Sequence, residues 1–264
     1  MLEIKNLFAG YGNIKIKNRS SAEAGISDVI RNISIKAGNG ESLCILGPNG
    51  SGKSTLLRAI ARIIDYRGKV FLDGCDAASF SRKNFAKKTA LLSQTAQVFF
   101  PYTVYETVSM GRYAYLQGIF KNLSAEDEAI IEETLKKLDI INIKDSIIDE
   151  LSGGQLQRVF LARTLAQTPD IILLDEPANH LDLKHQLELL EFLKKWVKEN
   201  NKTLISVFHD LNLARQFGDT AVILNNGEIT ASGEIDEVLN CEALSAIYGI
   251  NIRAYFLQAL EKWK

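Results

Sequence analysis

Short apolar runs bounded by turn residues recur along the chain, at Leu43 to Leu46, Ala90 to Leu92, Ile171 to Leu174, Leu204 to Phe208 and Ala221 to Leu224. Runs of this length with no polar alternation predict strands buried on both faces. Helical patterns lie between them. In the clearest, Leu183, Leu187, Leu190, Leu193 and Val197 fall on one face, while Lys184, Glu188, Glu191, Lys194 and Lys198 mark much of the other. Strands alternating with helices predict an α/β fold whose mostly parallel sheet is joined by crossover helices.

Two regions break this rhythm. In Leu2 to Phe8, Ile30 to Ile35 and Lys69 to Leu72, polar and apolar residues alternate, which predicts a smaller antiparallel sheet near the N-terminus. Residues 103–168 have little strand character, and Ser124-Ala125-Glu126-Asp127 is a capping-box start for a helix carrying Ile130, Ile131, Leu135 and Leu138. A helical subdomain is therefore expected between core strands, within one domain covering residues 1–264. The polar segment Asn13 to Asp28, with Ser20, Ser21 and Gly25, predicts a surface loop or hairpin tip. No fixed-period repeat or low-complexity stretch is present.

At 264 residues, 46% hydrophobic and 24% charged, the chain can bury a large core and is not of disordered or fibrous composition. Its 31 Lys and Arg against 32 Asp and Glu give a net charge of −1, which argues against wrapping nucleic acid. No apolar run approaches the roughly 18 residues that would span a bilayer. Met1-Leu2-Glu3-Ile4-Lys5 lacks the plan of a signal peptide, so a cytoplasmic chain is expected. Cys44, Cys75 and Cys241 are far apart, which predicts three reduced thiols.

The chemistry concentrates in three places. Gly47-Pro48-Asn49-Gly50-Ser51-Gly52-Lys53-Ser54-Thr55 fits GxxxxGK[ST], directly after a predicted strand and before the helical run Leu56 to Ile64. Such a loop turns successive N–H groups inward beside a helix N-terminus and so holds the phosphates of a nucleotide. Lys53 would reach the β- and γ-phosphates, and Ser54 would ligate Mg²⁺. The strand Ile171 to Leu174 ends in Asp175 and Glu176, which the fold places beside that loop. Asp175 suits a Mg²⁺ ligand, and Glu176 a general base for an attacking water. Leu151-Ser152-Gly153-Gly154-Gln155 opens a further helix and forms a second anion receptor. Two receptors for one triphosphate suggest that Ser152 to Gln155 serve a nucleotide held mainly by another copy of the chain.

With these motifs in place, nearly the whole chain resembles the ATP-binding cassette (ABC) ATPases. Gly47 to Thr55 matches their Walker A motif, Ile171 to Glu176 their Walker B motif, and Leu151 to Gln155 their signature. The resemblance implies a P-loop NTPase core, with ATP and Mg²⁺ as ligands. It makes Gln94 the Q-loop glutamine that contacts Mg²⁺ and attacking water, and His209 the switch histidine that contacts the γ-phosphate. Asp182, after Leu181, falls at the end of the D-loop, which crosses to the opposite subunit, and Tyr11 falls where an aromatic stacks on adenine. His180 and His185 carry no such role and read as surface or interface polar residues. Leu156 stands where a polar residue commonly follows the signature, and Ala178-Asn179 where small hydroxyl residues commonly precede the D-loop.

Phe100 to Val108, Met110-Gly111-Arg112-Tyr113, His180-Leu181-Asp182 and His185 to Glu188 are similar to the branch importing iron chelates, haem and cobalamin. Tyr102, Tyr105, Met110 and Tyr113 suit a groove for the coupling helix of a membrane subunit, or equally core packing. The resemblance implies a homodimer working with transmembrane permease subunits and, indirectly, an extracytoplasmic substrate-binding protein, peripheral to the inner face of the cell membrane. Molybdate or tungstate importers share much of this pattern. ABC ATPases acting on DNA or the ribosome form the other alternative, but neither their long inserted coiled coil nor their second cassette is present.

Overall fold

The computed structural model describes residues 1–11, 27–93, 100–116, 122–179, 181–240 and 242–262. Two sheets organise them. The first is antiparallel and formed by β1 (Leu2–Tyr11), β2 (Ser27–Ala37), β4 (Tyr66–Leu72) and β5 (Cys75–Asp76), in the order β2-β1-β4-β5. The second contains β3 (Ser42–Leu46), β6 (Thr89–Leu92), β7 (Ile171–Asp175), β8 (Thr203–Val207), β9 (Thr220–Asn225) and β10 (Glu228–Glu234), in the order β10-β9-β3-β8-β7-β6. All its neighbours pair in parallel except β9 with β10.

The helices are α1 (Lys53–Ile60), α2 (Arg82–Lys88), α3 (Val104–Ser109), α4 (Ala125–Lys137), α5 (Gly153–Ala166), α6 (Leu183–Glu199), α7 (Leu211–Phe217), α8 (Ile235–Asn240), α9 (Glu242–Tyr248) and α10 (Ile252–Glu261). Alternating side chains of the parallel strands feed two cores. Leu43, Ile45, Ile171 and Leu173 face α1 and the antiparallel sheet, whereas Cys44, Leu46, Ile172 and Leu174 pack with residues from α3 through α10. A fully buried leucine or isoleucine contributes about 1.5–3 kcal/mol relative to exposure, so both sheet faces must be covered.

Several expectations shift at element ends. The first helix begins at Lys53 and stops at Ile60, because Arg62 turns to φ 56° and leaves Ile63 63% exposed. In α6, Leu183 is exposed and Leu189 is buried instead, since Asp182 caps the helix and its first turn projects past the core. Ser27 and Asp28 belong to β2, and the rest of the expected Asn13 to Asp28 loop lies outside the described residues. The hairpins closing β4–β5 and β9–β10 turn through Asp73-Gly74 and Asn226-Gly227, all at positive φ.

Helices α3 to α5 fall between β6 and β7 in the chain, and α4 begins at a complete capping box made by Ser124 and Asp127. Their fastening point is Arg112, only 3% exposed. Its Nε donates to Asp127 Oδ1 at 2.7 Å, and its Nη1 to the Ala166 carbonyl at 2.9 Å and to Thr168 Oγ1 at 3.2 Å. The Tyr115 ring covers the guanidinium at 3.7 Å. Gly111 permits this approach, because a Cβ there would stand 2.3 Å from the Arg163 carbonyl oxygen. Cys44 is buried and Cys75 exposed, both as free thiols. No helix of the described residues is long and apolar enough to cross a membrane.

Candidate functional site

The carboxyl ends of β3, β7 and β8 lie side by side, so the segments leaving them converge on one cavity. It measures about 530 Å³ and is lined by Asn49, Gly50, Gly52, Lys53, Ser54 and Thr55 from the loop and start of α1, by Glu176 and His209, and by Val29 of β2. That volume suits a small organic ligand.

Gly47 gives the loop its shape. It sits at φ 140°, and a Cβ there would lie 2.0 Å from the Leu224 carbonyl oxygen, a backbone atom that has no room to retreat. Gly47→Ala is therefore expected to abolish nucleotide binding and lower the melting temperature by several degrees, measurable by nucleotide titration and thermal melting. Lys53 Nζ donates to the carbonyls of Gly47 and Pro48, both at 2.9 Å. Burial lowers the Lys53 pKa, while Glu176 and Asp175 pull it back up.

Ser54 Oγ donates to Asp175 Oδ1 at 3.1 Å across the gap between α1 and β7. Burial raises the Asp175 pKa, the Ser54 bond lowers it, and neighbouring Glu176 raises it further. A hydroxyl and a carboxylate oxygen this close form a hard-oxygen pair suited to Mg²⁺, which takes few protein ligands and leaves the rest to water and phosphate.

Glu176 does not continue the strand. Its φ of 57° is a left-handed conformation that Asn or Asp adopts more readily than Glu, and such a position costs about 1–2 kcal/mol. The turn places the carboxylate at the cavity, where Oε1 meets His209 Nε2 and Oε2 accepts from Asn179 Nδ2. His209 follows Phe208, which is anchored against Phe217 with ring centroids 5.2 Å apart.

Other sequence-predicted residues stand apart. Tyr11 is exposed, with its hydroxyl 3.0 Å from Arg58 Nη1 and 3.4 Å from Thr55 Oγ1 at the edge of α1. Ser152 to Gln155 do not line the cavity. Ser152 instead caps α5, its Oγ accepting from the Gln155 N–H at 3.3 Å, while Gln155 Oε1 accepts from the Ser152 N–H at 3.0 Å. Asp182 caps α6 and accepts from His185. Gln94 and His180 lie outside the described residues. Sequence reasoning gave no role to the Asn179 side chain or to Val29; the departure at Ala178-Asn179 was the available signal for the former.

Comparison with known proteins identifies the family of this chain. The family model described as ABC transporter matches residues 30–179. The petrobactin import ATP-binding protein YclP of Bacillus subtilis is 37% identical over 253 residues, covering 96% of this chain and 94% of that protein. The ferric enterobactin transport ATP-binding protein FepC of Escherichia coli is 39% identical over 223 residues, covering 84% and 82%. Among solved structures, the dimeric post-hydrolysis state of the ATP-binding cassette MJ0796, bound to ADP and Pi, superposes with a TM-score of 0.74 at 30% identity, covering 89% of this chain and 99% of that one. A glycine-rich loop, a serine–aspartate pair and a histidine-backed glutamate thus meet on a cassette fold, and the chain belongs to the ABC transporter family as an ATP-hydrolysing cassette.

Proposed function

We propose that this chain is the ATPase subunit of an importer for iron(III) siderophores. Two copies would close head to tail on two ATP molecules and drive transmembrane permease subunits at the inner face of the cell membrane, supplied by an extracytoplasmic binding protein. The observation that carries the catalytic half is the convergence of Lys53, Ser54, Asp175, Glu176 and His209 on one cavity. The substrate half rests on the similarity to siderophore-import cassettes, together with Phe100 and Tyr113, 63% and 66% exposed on the segment expected to meet the permease.

In this reading the Gly47 to Thr55 backbone cradles the phosphates, and Lys53 exchanges its bonds to the Gly47 and Pro48 carbonyls for phosphate oxygens. Ser54 and Asp175, with Gln94, would hold Mg²⁺, which when bound neutralises charge on the phosphate oxygens. Glu176 orients water and accepts its proton, while His209 steadies the γ-phosphate. Tyr11 offers its exposed ring to adenine. Ser152 to Gln155 and Asp182 complete the site of the opposite copy, which explains their distance from the cavity of their own chain.

Uptake tests the reading. Cells lacking the gene are given wild type or Lys53→Ala and assayed with a labelled ferric siderophore, with cobalamin and molybdate in parallel. Siderophore uptake restored by wild type alone is the expected result. Restoration of cobalamin or molybdate instead would move the chain to another branch, and restoration of none would overturn the importer assignment.

A further inference from the structure

The segment between β7 and α6 is held from several sides. Gln157 Nε2, in the second turn of α5, donates to the Pro177 carbonyl at 2.8 Å. Gln186 Nε2, on α6, donates to the Ala178 carbonyl at 3.1 Å and to the Leu181 carbonyl at 3.0 Å. A Cβ on Gly154 would stand 3.4 Å from Leu181 Cδ2, so the signature turn also touches this strap. Within the strap, the Asn179 N–H closes a turn onto the Glu176 carbonyl at 3.2 Å, and the Asn179 side chain donates to the Glu176 carboxylate.

We propose that Asn179 is a positioning residue for the general base Glu176, and that Gln157 ties its position to the signature helix. This inference rests on Glu176 being the base. The bond from Asn179 falls on Oε2, whereas His209 meets Oε1, so the carboxylate is steered by groups on opposite sides. Steering is needed because the main chain at Glu176 is left-handed and its side chain projects from a turn rather than from a regular strand. A shorter serine hydroxyl at position 179 would not reach as far, and a carboxylate there would present an acceptor to an acceptor.

The strap also has a direction. A shift of α5 when Ser152 to Gly154 engage a nucleotide on the opposite copy would move the Pro177 carbonyl through Gln157. Asn179 lies two residues further along the same strap.

The test uses the full chain and steady-state ATP hydrolysis, with thermal melting confirming that each variant is folded. Asn179→Asp keeps the side-chain shape and its ability to close the turn but removes the donor. It is expected to lower kcat by at least about tenfold while KM for ATP stays within about twofold, with Asn179→Ala between it and wild type. In a Glu176→Gln background, Asn179→Asp should reduce the residual rate no further, and adding Gln157→Ala to Asn179→Ala should lose nothing beyond Asn179→Ala alone. A merely structural strap predicts an active Asn179→Asp enzyme, and either that result or losses that multiply would overturn the proposal. A Glu176→Gln enzyme at the wild-type rate would sink the base assignment itself; Glu176→Gln inactive with Asn179→Asp unaffected would sink the positioning role alone.

Discussion

Glu176→Gln is expected to lower the hydrolytic kcat by about 10²–10⁴-fold, the range for loss of a positioned general base, while ATP binding stays within a few-fold of wild type. Glutamine fills the same volume on the same left-handed residue, so the cavity and the loop around Lys53 keep their shape. It cannot accept a proton from water. The affinity is expected to stay because the loop Gly47 to Thr55 is built without Glu176, which only joins it in lining the cavity. The measurement is phosphate release beside nucleotide titration, and trapping of an ATP-bound pair by gel filtration is the corollary. A variant that hydrolyses at the wild-type rate would transfer the base role elsewhere. A variant that loses binding and turnover together would mean that the carboxylate holds the loop in place.

Arg112→Ala should destabilise the protein by about 3–5 kcal/mol, because it strands Asp127 as a buried charge without its main counter-ion. For a chain of this size that corresponds to a melting temperature lower by on the order of 10 °C. Arg112→Lys is expected to recover little of it, since a single ammonium cannot reach Asp127, the Ala166 carbonyl and Thr168 together while stacking under Tyr115. Acid should find the same weak point. Burial raises the Asp127 carboxyl, but its bonds from Ser124 and Arg112 outweigh that and hold it below its ordinary value. A depressed carboxylate stabilises the fold fully above the unfolded value of about 4 and loses that contribution as pH falls through the folded one. Denaturant unfolding at neutral and acid pH reads both effects; a lysine variant as stable as wild type would show that charge alone fastens the helices.

The parallel strands were legible because burial on both faces removes polar residues, leaving runs such as Ile171 to Leu174 that hardly read as anything else. The cavity-lining loop Gly47 to Thr55 was legible for a local reason: its glycines, lysine and serine stand together in one short stretch of chain. Asp73-Gly74 and Asn226-Gly227 carried a readable hairpin signal, and it went unused because the flanking β5 is only two residues long and β10 carries no large apolar residue besides Ile229. What sequence does not display is which side chains meet across the fold. Arg112 reaching Thr168, or Gln157 reaching Pro177, depends on where helices come to rest after packing. The role of Asn179 was hidden likewise, since its amide points back three residues only because Glu176 adopts a left-handed turn.

The strand order has a consequence for how the chain assembles. Among the described residues, strand β6 is the outermost of its sheet, and its neighbour there, β7, enters only after the whole helical segment has been made. Closing a loop of about eighty residues costs roughly 2 kcal/mol more than closing one of ten, because the penalty grows only with the logarithm of length. Native stability barely registers so long a detour, but folding speed does, since pairing across such a separation waits on a slow encounter. Pairing β3 with β8 or β9 spans a still longer stretch of chain, so the centre of the sheet has no head start over β6. Until it docks, β7 is an unprotected sheet edge, and that interval is when a newly made chain is most exposed to mispairing with another copy.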